Sequence, residues 1–142
     1  MQENIQMSYW LVKFAPFRTS WEDVVRAGHF TLRGVRGHEA RKHLAAMRLG
    51  DKVLFYRSQQ EQAIMGIMAV SRAAYPDPTS ADPRWLTCDF VPLCSLSAPV
   101  SLADIRLNPA LSNCPLLRQP RLSVMPMTPE EMSAIAPNAV SS

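Results

Sequence analysis

The chain has 142 residues, 47% of them apolar and 19% charged, which suits one globular domain with a sizeable core and would leave two separate domains marginal. No run of 18 apolar residues occurs, so no membrane-spanning helix is expected, and Met1 to Trp10 lacks the basic-then-apolar order of a secretory signal. The net charge of +3 is concentrated: from Arg33 to Arg57 seven basic residues stand against Glu39 and Asp51, a local +5, while the remainder carries −2. A polyanion would meet this segment first.

Residues 1–7 read as a disordered leader, 8–136 as the folded domain and 137–142 as a disordered tail. Ser8 to Lys13 is aromatic and β-branched, a first strand ended by Pro16. Ser20 can cap a short helix from Trp21 to Ala27, with Asp23 at its third position and Gly28 as its stop. A second helix is predicted from His38 to Met47, because Ala40, Leu44 and Met47 recur on one face and leave Arg41, Lys42 and His43 outward. Gly50 and Asp51 form the turn into a strand over Lys52–Arg57. Ala63–Ser71 pairs with that strand as a hairpin, and Gly66 inside it marks a bulge or a close backbone approach.

Three prolines between Tyr75 and Pro83 demand a loop, and Arg84–Leu93 follows as a strand with Trp85 and Leu86 on opposite faces. Ser101 with Asp104 repeats the capping device before a helix that Asn108 and Pro109 stop. Thr128 with Pro129 and Glu131 repeats it again, after a short strand at Leu122–Met125. Five or six strands, about four short helices and no βαβ rhythm point to an α+β fold: a small, mostly antiparallel barrel decorated with helices.

Cys88, Cys94 and Cys114 are odd in number and form no Cys-x-x-Cys pair, so they are expected as buried thiols in a reducing, cytoplasmic setting. His38 and His43 are five apart and would not share a helix face with which to complete a metal site, so neither metal nor cofactor is expected.

Five ordered blocks, YWLVK at Tyr9–Lys13, GVR and AR at Gly34–Arg36 and Ala40–Arg41, MRLGDKVLFYRS at Met47–Ser58, AYPDPT at Ala74–Thr79 and RLSVMPMTPEE at Arg121–Glu131, resemble the EVE domain. That family belongs to the PUA-like superfamily, and the blocks cover almost the entire chain. The resemblance implies a PUA-like barrel with a pocket for a modified nucleobase presented on DNA or RNA, as related YTH domains hold a methylated adenine among aromatic side chains. Taking a base from its stack costs a few kcal/mol, which stacking on aromatic rings and hydrogen bonds to the base edge offset. This chain departs from the family pattern at Lys13-Phe14-Ala15-Pro16, at Leu32 to His38, and at Arg57, where a carboxylate, an indole, an amide and an imidazole give way to Ala, Leu, Gly and Arg. These exchanges trade stacking and neutral polar contacts for positive charge.

The expected pocket gathers Trp10 and Lys13 from the first strand, Arg36, Gly37 and His38 from the glycine turn, and Tyr56, Arg57 and Ser58 from the hairpin strand. Tyr75 from the proline loop and Arg121, Leu122 and Ser123 from the last block complete it. Arg36 would donate to a base carbonyl or a phosphate, or else form a structural ion pair. Tyr56 would stack while Phe55 enters the core, and Ser58 and Ser123 would meet the base edge or cap turns. Arg33, Arg41 and Lys42 would contact backbone phosphates, since a helix face offers charge without base-edge geometry.

The function expected is therefore that of a monomeric, non-enzymatic nucleic-acid-binding module. Two alternatives stand beside it. One is a small hydrolase of modified nucleosides, as in related ASCH domains, for which Lys13 and Glu39 are the available acid/base pair. The other is a protein-interaction domain that kept the fold and lost the pocket.

Overall fold

A computed structural model describes residues 7–14, 19–59 and 62–140. The leader at 1–6, the departure at Ala15-Pro16 and the last two tail residues lie outside the described residues. Six strands form one sheet: β1 (Tyr9–Phe14), β2 (Phe30–Thr31), β3 (Lys52–Arg57), β4 (Ala63–Pro76), β5 (Leu86–Ser101) and β6 (Val124–Met127), in the order β2-β5-β4-β3-β1-β6. Every neighbouring pair is antiparallel except β1 and β3, which run parallel with Lys13 opposite Tyr56. A parallel pair needs a crossover, and the segment carrying α1 (Trp21–Ala27), β2 and α2 (His38–Ala46) supplies it. The mostly antiparallel α+β reading is met. The barrel is not: no pairing among the described residues joins β2 to β6, so the sheet is curved and open.

α2 packs against β4, β5 and β6, strands from both ends of that order, so the sheet curls around the helix. Leu44 at its centre is fully buried, and Ala40 and Met47 on the same face are nearly so. The helix ends at Ala46, one residue before its expected end; Gly50 instead takes the left-handed conformation (φ 87°) in the turn that follows. α1 begins and ends as its sequence predicts, with a reciprocal capping box between Ser20 and Asp23 and a left-handed Gly28.

The C-terminal half adds α3 (Leu102–Leu107), a 3₁₀ turn at Pro109–Leu111, α4 (Pro115–Arg118), α5 (Pro129–Ile135) and a second 3₁₀ turn at Pro137–Ala139. Ser101 caps α3, and Thr128 with Glu131 forms the capping box of α5. The expected tail is folded at least as far as Val140: Ala139 is buried and its carbonyl accepts from Lys52 Nζ at 2.5 Å. The short strand near residue 122 begins two residues later, at Val124.

β4 and β5 are much longer than their hydrophobic runs imply. Pairing carries β4 through Tyr75, opposite Thr87, so the first part of the proline segment is strand rather than loop. A wide irregularity interrupts the pair, because Gly66 faces Ser95 whereas Ile64 faces Val100. Gly66 lies there for a steric reason: a Cβ on it would stand 2.0 Å from Cζ2 of Trp21. Trp21 donates its indole N–H to Ser95 Oγ at 2.8 Å and packs on Phe55, with ring centres 5.3 Å apart; Phe30 continues the aromatic stack to Phe90. Cys88 and Cys114 are buried as expected, but Cys94 is exposed because it sits on the irregular part of β5. Burial pushes the Cys88 thiol up to about 12, with the charge of Asp89 adding to the effect, which makes it unreactive.

Gly66→Ala is expected to destabilise the protein by about 1–3 kcal/mol, since Trp21 must leave its rotamer or the strands must part. Urea denaturation of the two proteins checks this; equal midpoints would show that the Trp21–Gly66 contact is looser than it stands here.

Candidate nucleic-acid interface

The site is built on a carboxylate. Asp77, in the proline segment, has a fully buried side chain and accepts from the Gly34 amide (2.8 Å), the Thr79 amide (2.8 Å), the Thr79 hydroxyl (2.6 Å) and Arg36 Nη1 (3.2 Å). Burial opposes its ionisation, but the hydrogen bonds from Thr79, Gly34 and Arg36 more than offset it, and its pKa falls to about 2. Gly34 takes φ 83°, a conformation costly for other residues, and this turns its N–H toward the carboxylate. The chain then enters α2 at Gly37. Asp77 also donates its own N–H to the carbonyl of Trp85 at 2.8 Å. One residue thus fixes the glycine turn, the proline segment and the start of β5 relative to each other.

Two clefts open beside this turn and share Pro120. One, of about 590 Å³, is lined by Gly37–Ala40 and Gln119–Ser123. The other, of about 530 Å³, is lined by Lys13, Tyr56, Ser58, Gln62, Leu102, Arg106, Leu116, Leu117 and Pro120. Lys13 binds them together: its backbone N–H donates to the Ser123 carbonyl at 2.9 Å and its Nζ to the Pro120 carbonyl at 2.5 Å. Burial lowers the pKa of this ammonium from its ordinary value. The first cleft is lined by Arg121 and Glu39, and the second carries positive charge from Lys13 and Arg106.

The four segments expected at one pocket are divided between the two clefts: Gly37, His38, Arg121, Leu122 and Ser123 line the first, and Lys13, Tyr56 and Ser58 the second. Tyr56 forms the floor of the second cleft at 2% exposure, too little for a stacking face, and its partner Phe55 is buried as well. Its phenol is held neutral by burial, which the charge of Arg106 partly opposes. Trp10 lies in the core, donating Nε1 to Asp51 at 3.0 Å; the same carboxylate also accepts from the amides of Ser8 and Arg48. Trp10 is therefore a brace, not a pocket wall.

Tyr75 is removed from the clefts too. Its hydroxyl donates to Asp89 at 2.5 Å and the Arg72 guanidinium covers its ring at 3.7 Å, so strand pairing has turned a supposed loop aromatic into a framework residue. Arg36 takes the ion-pair role with Asp77 and lines neither cleft. Half-buried Arg57 at the end of β3 also lies outside both. Arg33 borders a third hollow beside α1, and Arg41 and Lys42 lie on the outer face of α2. No group of three or more His, Cys, Asp or Glu side chains among the described residues could hold a metal.

Residues 8–138 match the EVE domain. The chain belongs to the EVE-domain family. Chicken thymocyte nuclear protein 1 is 30% identical over 168 residues that take in 94% of this chain and 69% of the chicken protein. Among solved structures, a protein from Rhodopseudomonas palustris is similar with a TM-score of 0.87 and 36% identity, covering 96% of this chain and 97% of its own. The human THYN1 protein, solved in complex with 5-methylcytosine-containing DNA, is similar with a TM-score of 0.83 and 28% identity, covering 95% of this chain and 99% of that one.

In this EVE domain, Asp77, Trp85 and Pro120 escape a residue-by-residue reading because their importance lies in what they join. Asp77 stands in the AYPDPT block, where its burial beneath four donors was the missed signal. Pro120 contributes a carbonyl, which no sequence pattern announces. Trp85 precedes β5 instead of lying within it, held by the Asp77 N–H, and its ring faces Arg36, Arg41, Arg84 and His38.

The depressed pKa of Asp77 makes stability depend on acid. Its contribution is complete above the unfolded value near 3.8 and is lost as pH falls through that value toward about 2. A shift of this size corresponds to about 2 kcal/mol. Asp77→Asn is expected to cost roughly 2–4 kcal/mol at neutral pH, by leaving Arg36 and the amides without their anion. In urea titrations from pH 5 to pH 2 the gap between wild type and variant should narrow; a gap that stays constant would show that the charge is not what holds the turn.

Proposed function

We propose that this EVE domain binds nucleic acid and takes a modified base, with methylated cytosine in DNA the first candidate, into the cleft lined by Gly37–Ala40 and Gln119–Ser123. The observation that carries the reading is the likeness, over 95% of the chain, to human THYN1 solved with 5-methylcytosine-containing DNA, joined to a cleft of about 590 Å³ one wall of which belongs to the segment of local charge +5. That volume is in the range of small-molecule sites. A base extruded from the stack would enter between the helix start and the 119–123 segment. Leu122 offers it apolar contact, Ser123 a hydroxyl for its edge, and Arg121 and His38 stand at the wall with donors for a carbonyl or phosphate. Arg33, Arg41 and Lys42 would hold backbone phosphates and make affinity fall with salt. RNA carrying a modified base would be accepted by the same chemistry.

The hydrolase reading has less support. Lys13 and Glu39 line different clefts, Lys13 Nζ is engaged by the Pro120 carbonyl, and Glu39 lies 3.5 Å from His43 Nε2 on the next turn of α2.

Gly37 provides a direct test. Its backbone is ordinary extended chain (φ −79°, ψ 139°) and a Cβ there would meet only Ala40 Cβ, at 3.8 Å. Gly37→Leu therefore fills the cleft without straining the fold. Fluorescence anisotropy with matched unmodified and 5-methylcytosine oligonucleotides should show the wild type preferring the modified strand and Gly37→Leu losing that preference, with thermal midpoints alike. A wild type without preference, or a variant that keeps it, would remove the cleft from the function; turnover of free modified nucleosides would favour the hydrolase.

A further inference from the structure

Trp85 is half-exposed and has an unusual surround. The guanidinium carbons of Arg84, Arg41 and Arg36 lie 5.7, 5.8 and 5.9 Å from its ring centre, and the His38 ring lies at 5.4 Å, tilted by 37°. The Arg72–Tyr75 contact, at 3.7 Å, shows what a guanidinium lying on a ring looks like in this protein. At almost 6 Å, the outer limit of an energetically useful cation–π contact, the three guanidinium groups lie over the indole but too far out to pack on it as Arg72 packs on Tyr75. Two of them are already committed: Arg36 to Asp77 at 3.2 Å and Arg84, through Nε, to Asp82 at 2.7 Å. The Arg41 guanidinium makes no side-chain hydrogen bond or ion pair among the described residues, although its charge helps to lower the pKa of Asp82. His38 belongs to both neighbourhoods, since it lines the base cleft and faces Trp85.

We infer that Trp85 is a stacking platform for the nucleotide next to the one held in the cleft, with Arg41 and the free edge of Arg84 taking its phosphate. The inference rests on the nucleic-acid reading and adds to it a second subsite of separate chemistry. A single shared side chain, His38, separates platform and cleft, so the two fit consecutive nucleotides of one strand. An indole face accepts any base, because every base has a π-face, so this subsite adds affinity without reading sequence or modification. Guanidinium groups held at almost 6 Å rather than packed on the ring can move aside for a base and keep their N–H donors near the phosphate of the stacked nucleotide.

The test uses the whole protein and four oligonucleotides: unmodified, 5-methylcytosine-containing, and two 5-methylcytosine-containing strands with an abasic residue on one side or the other of the modified base. Trp85→Leu, which keeps an apolar side chain but removes the π-face, should weaken binding of the first two strands equally, by roughly tenfold. Their affinity ratio should stay as in the wild type, unlike the effect of filling the cleft at Gly37. On one of the two abasic strands the wild type should lose a similar factor, and Trp85→Leu should lose nothing further. Arg41→Ala, on the outer face of α2, should reduce the slope of log affinity against log salt by about one.

If the wild type binds none of the strands, the nucleic-acid reading itself fails. If it binds, but neither abasic strand is weakened, or Trp85→Leu and the abasic effect add, the platform is refuted while the cleft reading stands. The wild-type measurements on abasic strands decide the matter even if Trp85→Leu does not fold.

Discussion

The arrangement of the candidate interface depends on the buried carboxylate of Asp77. Removing a charge from water is costly, and here the cost is met by four donors from three residues, Gly34 and Arg36 in the glycine turn and Thr79 beside Asp77 itself. Its carboxylate draws in Gly34, which then adopts a left-handed conformation and aims the chain into α2, and its amide holds the carbonyl of Trp85. That pairing, together with the packing of α2 on β5, sets the start of α2 against the approach to β5. Gly37 and His38 form a cleft wall, and Trp85 stands beside them, because both are tied to the same residue.

A second carboxylate does for the frame what Asp77 does for the site. Asp51 is nearly inaccessible and accepts from Ser8, Trp10 and Arg48, joining the start of β1 to the turn between α2 and β3. β1 and β3 are the parallel pair, and their far ends carry Lys13, Tyr56 and Ser58 to the second cleft. Anchoring one end of this pair leaves the other end free to present polar groups. Backbone carbonyls at Pro120 and Ser123 then complete the site, so that the last strand's approach shapes both clefts. Lys13 and Glu39, the acid/base pair, are split between the two clefts.

Local structure was legible wherever it follows from short-range chemistry. The caps at Ser20, Ser101 and Thr128, the left-handed Gly28 and Gly50, the hairpin of β3 and β4 and the close approach at Gly66 all appear as expected, because each depends on residues a few positions apart or on the absence of a side chain. Strand length was not legible. β4 and β5 extend well beyond their apolar runs, because each has a partner that satisfies its backbone whatever its side chains are. That extension took Tyr75 out of a loop and onto Asp89. The aromatic residues were misassigned for a related reason: composition marks a ring as valuable without saying which face of the sheet it joins, so Trp10 and Tyr56 proved to be buried.

The sequence by itself determined the family, the α+β composition and the concentration of positive charge between Arg33 and Arg57. These follow from local propensity and from ordered motifs, which survive substitutions in the pocket. The tertiary structure alone decided that Arg36 is spent on Asp77, that Lys13 serves the Pro120 carbonyl, that the sheet stays open, and that Trp85 stands beside Arg36 and Arg41 as well as its neighbour Arg84. These are long-range pairings. Which donor reaches which acceptor across 40 or more residues is settled by burial and by competition for the same carboxylate, and neither leaves a pattern along the chain.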